Sequence, residues 1–178
     1  MWDAITGIVA EIKRCEAAGA TMAAVAMAYV CIDTMAFLSM PAGQTAQTRN
    51  DFIAWVNAYL KGHSSQPYRY DGTDVYAARC SVLHAFGAEA ELHRRAGNIR
   101  KFGYHDGGLH TFNPQVSPNV VIIGVASFLN DVIIAVDTFM KACQTDPALR
   151  GLVATRLPKV FQTMPFPQEG ATPVPNES

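Results

Sequence analysis

Apolar residues recur at spacings of three and four positions along most of the chain, a pattern typical of a mainly α protein. The stripes indicate amphipathic helices over residues 2–17, 48–60, 74–86, 127–143 and 147–155. Thr48 opens a capping-box pattern, Ser127 is a predicted N-cap, and Asp146 precedes Pro147 as the cap of the last helix. The chain is therefore expected to fold as a helical bundle.

Residues 20–40 are apolar on nearly every face, which indicates a helix buried inside the bundle. A stretch of this length also fits a membrane span, which needs about 20 apolar residues. Its richness in Ala and the presence of Asp33 in its second half favour the buried helix. A buried Asp33 needs a partner, and Arg79 is one candidate.

The pattern changes to that of β-strands between residues 99 and 124. Ile99–His105 and Leu109–Phe112 flank the turn Asp106-Gly107-Gly108, which is a hairpin signal. Val120–Gly124 is a β-branched run that adds a strand or begins the next helix. The prediction is a small β-hairpin or three-stranded insertion in a mainly α bundle.

In such a hairpin His105 and His110 face each other, with Asp106 close by. These side chains can ligate a metal ion, but the spacing fixes no complete ligand set and no Cys lies near. A turn that carries histidines is the favoured interpretation, and no metal site is predicted.

Composition is that of one globular domain over residues 1–164, followed by a Pro-rich tail over residues 165–178 that is predicted to be disordered. Charged residues make up only 16% of the chain, which suggests a surface partly covered by a partner, such as a second copy. The net charge of −1 gives no sign of nucleic-acid binding, so any RNA contact must come from a local patch. His93-Arg94-Arg95, followed by Arg100 and Lys101, is the basic concentration, and a solvated loop is its favoured interpretation.

Four widely spaced cysteines form no Cys-x-x-Cys motif and no Cys/His ligand cluster. They indicate free thiols in a reducing compartment. The first residues lack the features of a signal peptide. A cytoplasmic protein without membrane association is expected.

The helix Asp74–Phe86 carries the candidate chemistry, because it holds Arg79 and His84. Five helical steps separate the two residues by about 140° around the axis, but Arg is long enough to swing round. A histidine can take the proton of a ribose 2′-hydroxyl, and an always-charged guanidinium can neutralise a phosphorane. A lone Arg and His on one helix can also be purely structural.

The segment Arg79-Cys80-Ser81-Val82-Leu83-His84, preceded by Tyr76, resembles the R-x-x-x-x-H helix of the HEPN superfamily. These are small helical bundles that include many metal-independent RNases. The resemblance implies a HEPN-like bundle, with His84 as general base or acid, Arg79 as phosphate clamp and no cofactor. It also implies a homodimer with a composite cleft. Cys80 stands where active members most often carry a small polar residue.

Two functions follow as hypotheses. The first is a metal-independent endoribonuclease that uses Arg79 and His84. The alternative is a non-catalytic binding or assembly module, which binds a nucleotide, a second copy or a partner protein such as a nucleotidyltransferase. Catalysis requires Arg79 and His84 to lie together in an open cleft, whereas the module hypothesis expects them to be buried or apart.

Further binding residues are predicted beside this pair. Cys80 and Ser81 can orient it, and Arg94 and Arg95 can contact RNA. Tyr68 lies in a loop whose aromatic residues can stack on a base, although such residues also serve to pin a loop to the bundle.

Overall fold

The computed structural model describes residues 2–85, 91, 93 and 98–160. The elements in chain order are α1 (Asp3–Ala17), α2 (Thr21–Ser39), α3 (Arg49–Tyr59), α4 (Gly72–Ala85), β1 (Lys101–His105), β2 (Val120–Gly124), α5 (Val125–Thr145) and α6 (Pro147–Arg156), followed by a 3₁₀ turn at Leu157–Lys159. The mainly α fold with a small β insertion is confirmed. The end of the predicted domain, residues 161–164, and the predicted tail lie outside the described residues.

α2 lies at the centre of the bundle and packs against α1, α3, α4, α5 and α6. Side chains such as Val25, Tyr29, Ile32 and Met35 are fully buried. Among the described helices, α2 alone is long and apolar enough to cross a membrane, yet half of its most apolar window is buried inside the protein. It therefore has the environment of a core helix.

The ends of several helices follow local sequence signals. At the start of α3 the hydroxyl of Thr48 accepts from the Asp51 N–H, and the Asp51 carboxylate accepts from the Thr48 N–H, which confirms the capping box. The Asp146 carboxylate accepts from the N–H groups of Ala148 and Leu149 at 2.9 and 3.1 Å. Ser127 is not a cap, because α5 begins two residues earlier, directly after β2.

The predicted hairpin is wrong. β1 pairs in parallel with β2, from Lys101 opposite Val120 to His105 opposite Gly124. The segment after the glycine turn contributes only an antiparallel bridge between Thr111 and Ile122. The physical reason is burial: Val121 and Ile123 in β2 are completely buried, as a strand packed on the bundle must be, whereas the predicted second strand begins with an exposed residue.

A buried arginine closes the bundle at the carboxyl end of α2. The Arg156 guanidinium donates to the carbonyl oxygens of Leu38 at 3.1 Å and Pro41 at 2.8 Å, and also to that of Met40. These carbonyls have no partner within the helix, and a cation at a helix C-terminus is electrostatically favourable. Arg156 thereby ties α6 to the central helix.

Arg156→Met is expected to lower the free energy of unfolding by roughly 2–4 kcal/mol, because buried carbonyls lose their donor. Urea unfolding followed by circular dichroism measures this change. Arg150→Met on the exposed side of the same helix is the matched control and is expected to stay close to wild type. Equal effects of the two substitutions would contradict the capping role of Arg156.

Candidate functional site

Arg79 and His84 lie together on the surface of α4. The Arg79 Nη1 atom is 2.9 Å from His84 Nε2, and the His84 ring is exposed to solvent. The guanidinium reaches back along the helix, so the length of the Arg side chain bridges the angle that separates the two Cα positions. Because guanidinium only donates, Nε2 is the acceptor in this bond, and a neutral His84 then carries its proton on Nδ1.

Asp33 on α2 completes the site. Its Oδ2 atom lies 2.7 Å from Arg79 Nε and 2.7 Å from Arg79 Nη2. Gln47 supports the other carboxylate oxygen at 3.5 Å. The pairing of Asp33 with Arg79, a candidate from the sequence, is confirmed, and the Asp33–Arg79–His84 cluster therefore joins α2 to α4.

Asp33 belongs to the site, although the sequence indicates it only as a partner of Arg79. The signal that finds it is chemical: it is the single charged residue of an otherwise uncharged helix. A carboxylate at such a position is costly unless a cation faces it. Its distance of 46 residues from Arg79 along the chain hides the pairing from any local pattern.

The electrostatics of the cluster hold Arg79 in the charged form. Burial raises the pKa of the Asp33 carboxyl, and the hydrogen bonds from Arg79 oppose that rise. Burial acts to lower the pKa of Arg79, but the hydrogen bond and charge of Asp33 outweigh it, so the Arg79 pKa is raised. The guanidinium has five N–H groups. Three point to Asp33 and His84, so at most two remain for a ligand.

Cys80 and Ser81, which follow Arg79 in the sequence, lie on different sides of the helix. Cys80 is half-buried and lies beside Tyr76 and Arg79, so it borders the cluster. Ser81 is only 1% exposed, and its hydroxyl donates to the Ala77 carbonyl at 3.0 Å. Ser81 therefore faces the core, and its role in orienting the pair stays a prediction.

Tyr68, which the sequence predicts to contact RNA, makes its contacts in a network apart from the cluster. Tyr68 is 3% exposed and donates to Asp74 at 3.0 Å, and the same carboxylate receives the backbone N–H and the guanidinium of Arg100. This burial argues against base stacking by Tyr68 and matches the alternative, in which it pins its loop. Arg94 and Arg95 lie outside the described residues.

A groove of about 880 Å³ lies between α1 and α2, and Asp33 is part of its wall. Ile8, Met27, Val30 and Phe37 give most of this wall an apolar character. The cluster thus borders a cleft, although the cleft is formed by the first two helices and not by the loop that contains Tyr68.

A second polar network is buried at the base of the β insertion. The Tyr70 hydroxyl is 2.8 Å from His110 Nε2 and 3.0 Å from Asp131 Oδ2. His110 Nδ1 accepts from the Gly124 N–H at 3.1 Å. A neutral His110 therefore has its proton on Nε2 and donates to Tyr70, whose hydroxyl donates in turn to Asp131.

This network is structural. His110 and Asp131 are 3% and 5% exposed, so no substrate reaches them. Gln66 extends the network, since its amide bonds the carbonyl of Gly108, the hydroxyl of Ser127 and the N–H of His110. No metal site is formed here: within the described part of the chain, no three His, Cys, Asp or Glu side chains group to hold an ion.

His110 is expected to make stability depend on pH. Burial, with a smaller effect from His105, lowers the pKa of His110 to about 4. Between pH 6.5 and pH 4 the unfolded chain binds a proton that the folded chain does not, so the free energy of unfolding falls as the pH drops through this range.

The free energy of unfolding of wild type should fall when the pH is lowered from 7 to 4.5. In His110→Gln this fall should be smaller by about 2 kcal/mol, because the variant lacks the titrating imidazole. Urea unfolding at the two pH values measures it, with His63→Gln, an exposed histidine, as control. An unchanged pH dependence in His110→Gln would show that His110 is not the titrating group.

The Asp33–Arg79 ion pair is expected to couple α2 to α4 energetically. In a double-mutant cycle of Asp33→Asn and Arg79→Gln, urea unfolding should give a coupling energy of roughly 1–2 kcal/mol, because the pair is largely shielded from water. The exposed pair Asp137–Lys141 on α5 is the control and should give much less. Equal coupling energies in the two pairs would contradict a structural role for Asp33.

The resemblance carried by Arg79–His84 stays a prediction from the sequence, since no known family model, no curated protein and no solved structure matches this chain.

Proposed function

We propose that the protein is a HEPN-like, metal-independent endoribonuclease whose active site is the Asp33–Arg79–His84 cluster. The observation that supports this proposal is the 2.9 Å bond between Arg79 Nη1 and His84 Nε2 on an exposed face of α4. A titratable base and a permanent cation in contact are the two groups that RNA cleavage without a metal requires.

In the proposed reaction, a phosphate oxygen of the RNA replaces His84 as the acceptor of an Arg79 N–H. His84 Nε2 is then free to take the proton of the ribose 2′-hydroxyl. The 2′-oxygen attacks phosphorus in line, and the bond to the 5′-oxygen breaks. The 5′-oxygen leaves with a proton from a general acid, and the products are a 2′,3′-cyclic phosphate and a 5′-hydroxyl.

Each of the three residues has a separate role in this reaction. His84 exchanges the proton, and Arg79 stabilises the charge that develops on phosphorus. Asp33 is a positioning residue, since its two contacts fix the plane of the Arg79 guanidinium without reaching the reacting atoms. Cys80, beside Arg79, is a further candidate for orienting the guanidinium.

The proposal includes a second copy of the chain. One cluster offers one histidine, whereas in-line cleavage uses a base and an acid, and a homodimer brings a second His84. Arg94 and Arg95 remain the predicted contacts to the RNA backbone. Four free cysteines suit a reducing compartment, so we place the protein in the cytoplasm.

A binding or assembly module without catalysis is the second candidate. It is favoured by the two contacts between Arg79 and Asp33, which satisfy much of the guanidinium without any substrate. In that case the cluster serves to join α2 to α4. The partner is then a nucleotide, a second copy or another protein, such as a nucleotidyltransferase.

RNA cleavage in the presence of EDTA tests the first candidate. We expect wild type to cleave, and His84→Ala and Arg79→Ala to lose at least about 100-fold in rate, because each removes a group that acts in the transition state. Arg79→Lys should also lose activity, since Lys cannot reproduce the planar contacts to Asp33 and phosphate.

His63→Ala and Arg150→Ala, which replace exposed residues of the same types, serve as controls and should retain activity. Circular dichroism confirms that each variant is folded. Cleavage that persists in both His84→Ala and Arg79→Ala would assign it to another site or a contaminant. Absence of cleavage by wild type on several RNAs would support the binding module.

A further inference from the structure

The groove between α1 and α2 is an apolar surface without a partner among the described residues. Met27, Ile8 and Phe37 are only partly buried along it, and Val30 is 37% exposed. Apolar side chains from two adjacent helices line one continuous cavity of about 880 Å³. Such a surface is typical of a site that is covered by another segment.

The chain itself arrives at one end of this groove. Arg156 binds the carbonyls at the carboxyl end of α2, which fixes the position of the turn Leu157–Lys159 that follows. Lys159 and Val160 are both part of the groove wall. The described part of the chain therefore ends in the wall of the groove, and Phe161 is the next residue in the sequence.

The sequence beyond Val160 has the composition that the groove accepts. Residues 161–168 read Phe-Gln-Thr-Met-Pro-Phe-Pro-Gln and carry no charge, so they bring no buried charge against the acidic residues of the wall. Phe161, Met164 and Phe166 supply large apolar side chains. Pro165 and Pro167 favour an extended backbone before them, which lowers the entropy cost of binding in a groove.

The dimensions agree as well. Along α1 the wall runs from Asp3 to Arg14, a helical rise of about 17 Å. Residues 161–166 in extended form span about 20 Å. Because the segment is attached at the rim, its effective concentration at the groove is high, on the order of millimolar. A second copy has no such advantage.

We propose that residues 161–166 of this chain occupy the α1–α2 groove, with Phe161, Met164 and Phe166 against Ile8, Met27, Val30 and Phe37. The inference does not depend on the proposed function, since it rests on the groove and on the place where the chain enters it. The C-terminal segment is then an integral part of the bundle surface.

Hydrogen exchange of the full-length protein tests this inference. We expect Phe161→Asp/Phe166→Asp to speed amide exchange in α1 and α2 by at least about fivefold, because the helices lose their cover. The control Ala171→Asp/Val174→Asp adds the same charge further along the tail and should leave exchange in both helices unchanged.

The reverse substitution gives an independent measurement. Val30→Asp changes a partly exposed residue of the groove, so the fold should tolerate it, and exchange in residues 161–166 should become faster. Unchanged exchange in α1 and α2 of the double Phe variant, or the same increase in the control, would overturn the inference. A dimer in size-exclusion chromatography with light scattering, whose dissociation on dilution exposes the groove, would assign the groove to a second copy.

Discussion

The structure depends on the burial of α2, a helix that is apolar on almost every side and so requires neighbours on every side. Five other helices pack around it, and Arg156 caps its carboxyl end. The helix contains one charge, Asp33, which the same packing largely shields from water. Arg79 on α4 neutralises this carboxylate by forming an ion pair with it.

The ion pair therefore links packing to chemistry. Arg79 extends toward Asp33, and its third contact, to His84, follows because both residues extend from the same helix. A largely shielded ion pair is by itself weak evidence of net stability, because desolvation offsets much of the Coulomb attraction. Its stronger consequence is orientation: a guanidinium held on one edge presents the other edge to a neighbour in a fixed direction.

The polar networks beside the β insertion attach long loops to the bundle. Tyr70, His110 and Asp131 join one loop to α5, and Tyr68, Asp74 and Arg100 join the same loop to α4 and β1. The buried hydroxyl, imidazole and carboxylate groups of these networks each bond a partner across the fold, which offsets their removal from water. Tyr68, the aromatic residue that the sequence predicts to stack on an RNA base, makes its contacts within these networks.

The helices were predictable from the amino-acid sequence, because a 3.6-residue apolar period and side-chain caps such as Thr48 with Asp51 act over a few positions. It also placed Arg79 and His84 on one helix within reach of each other. The parallel pairing of β1 with β2 and the burial of Tyr68 emerge only in the folded chain, which also selects Arg79 as the partner of Asp33. The physical reason is range: strand partners, burial and ion pairs join residues far apart in the chain, and no local spacing encodes which of them meet.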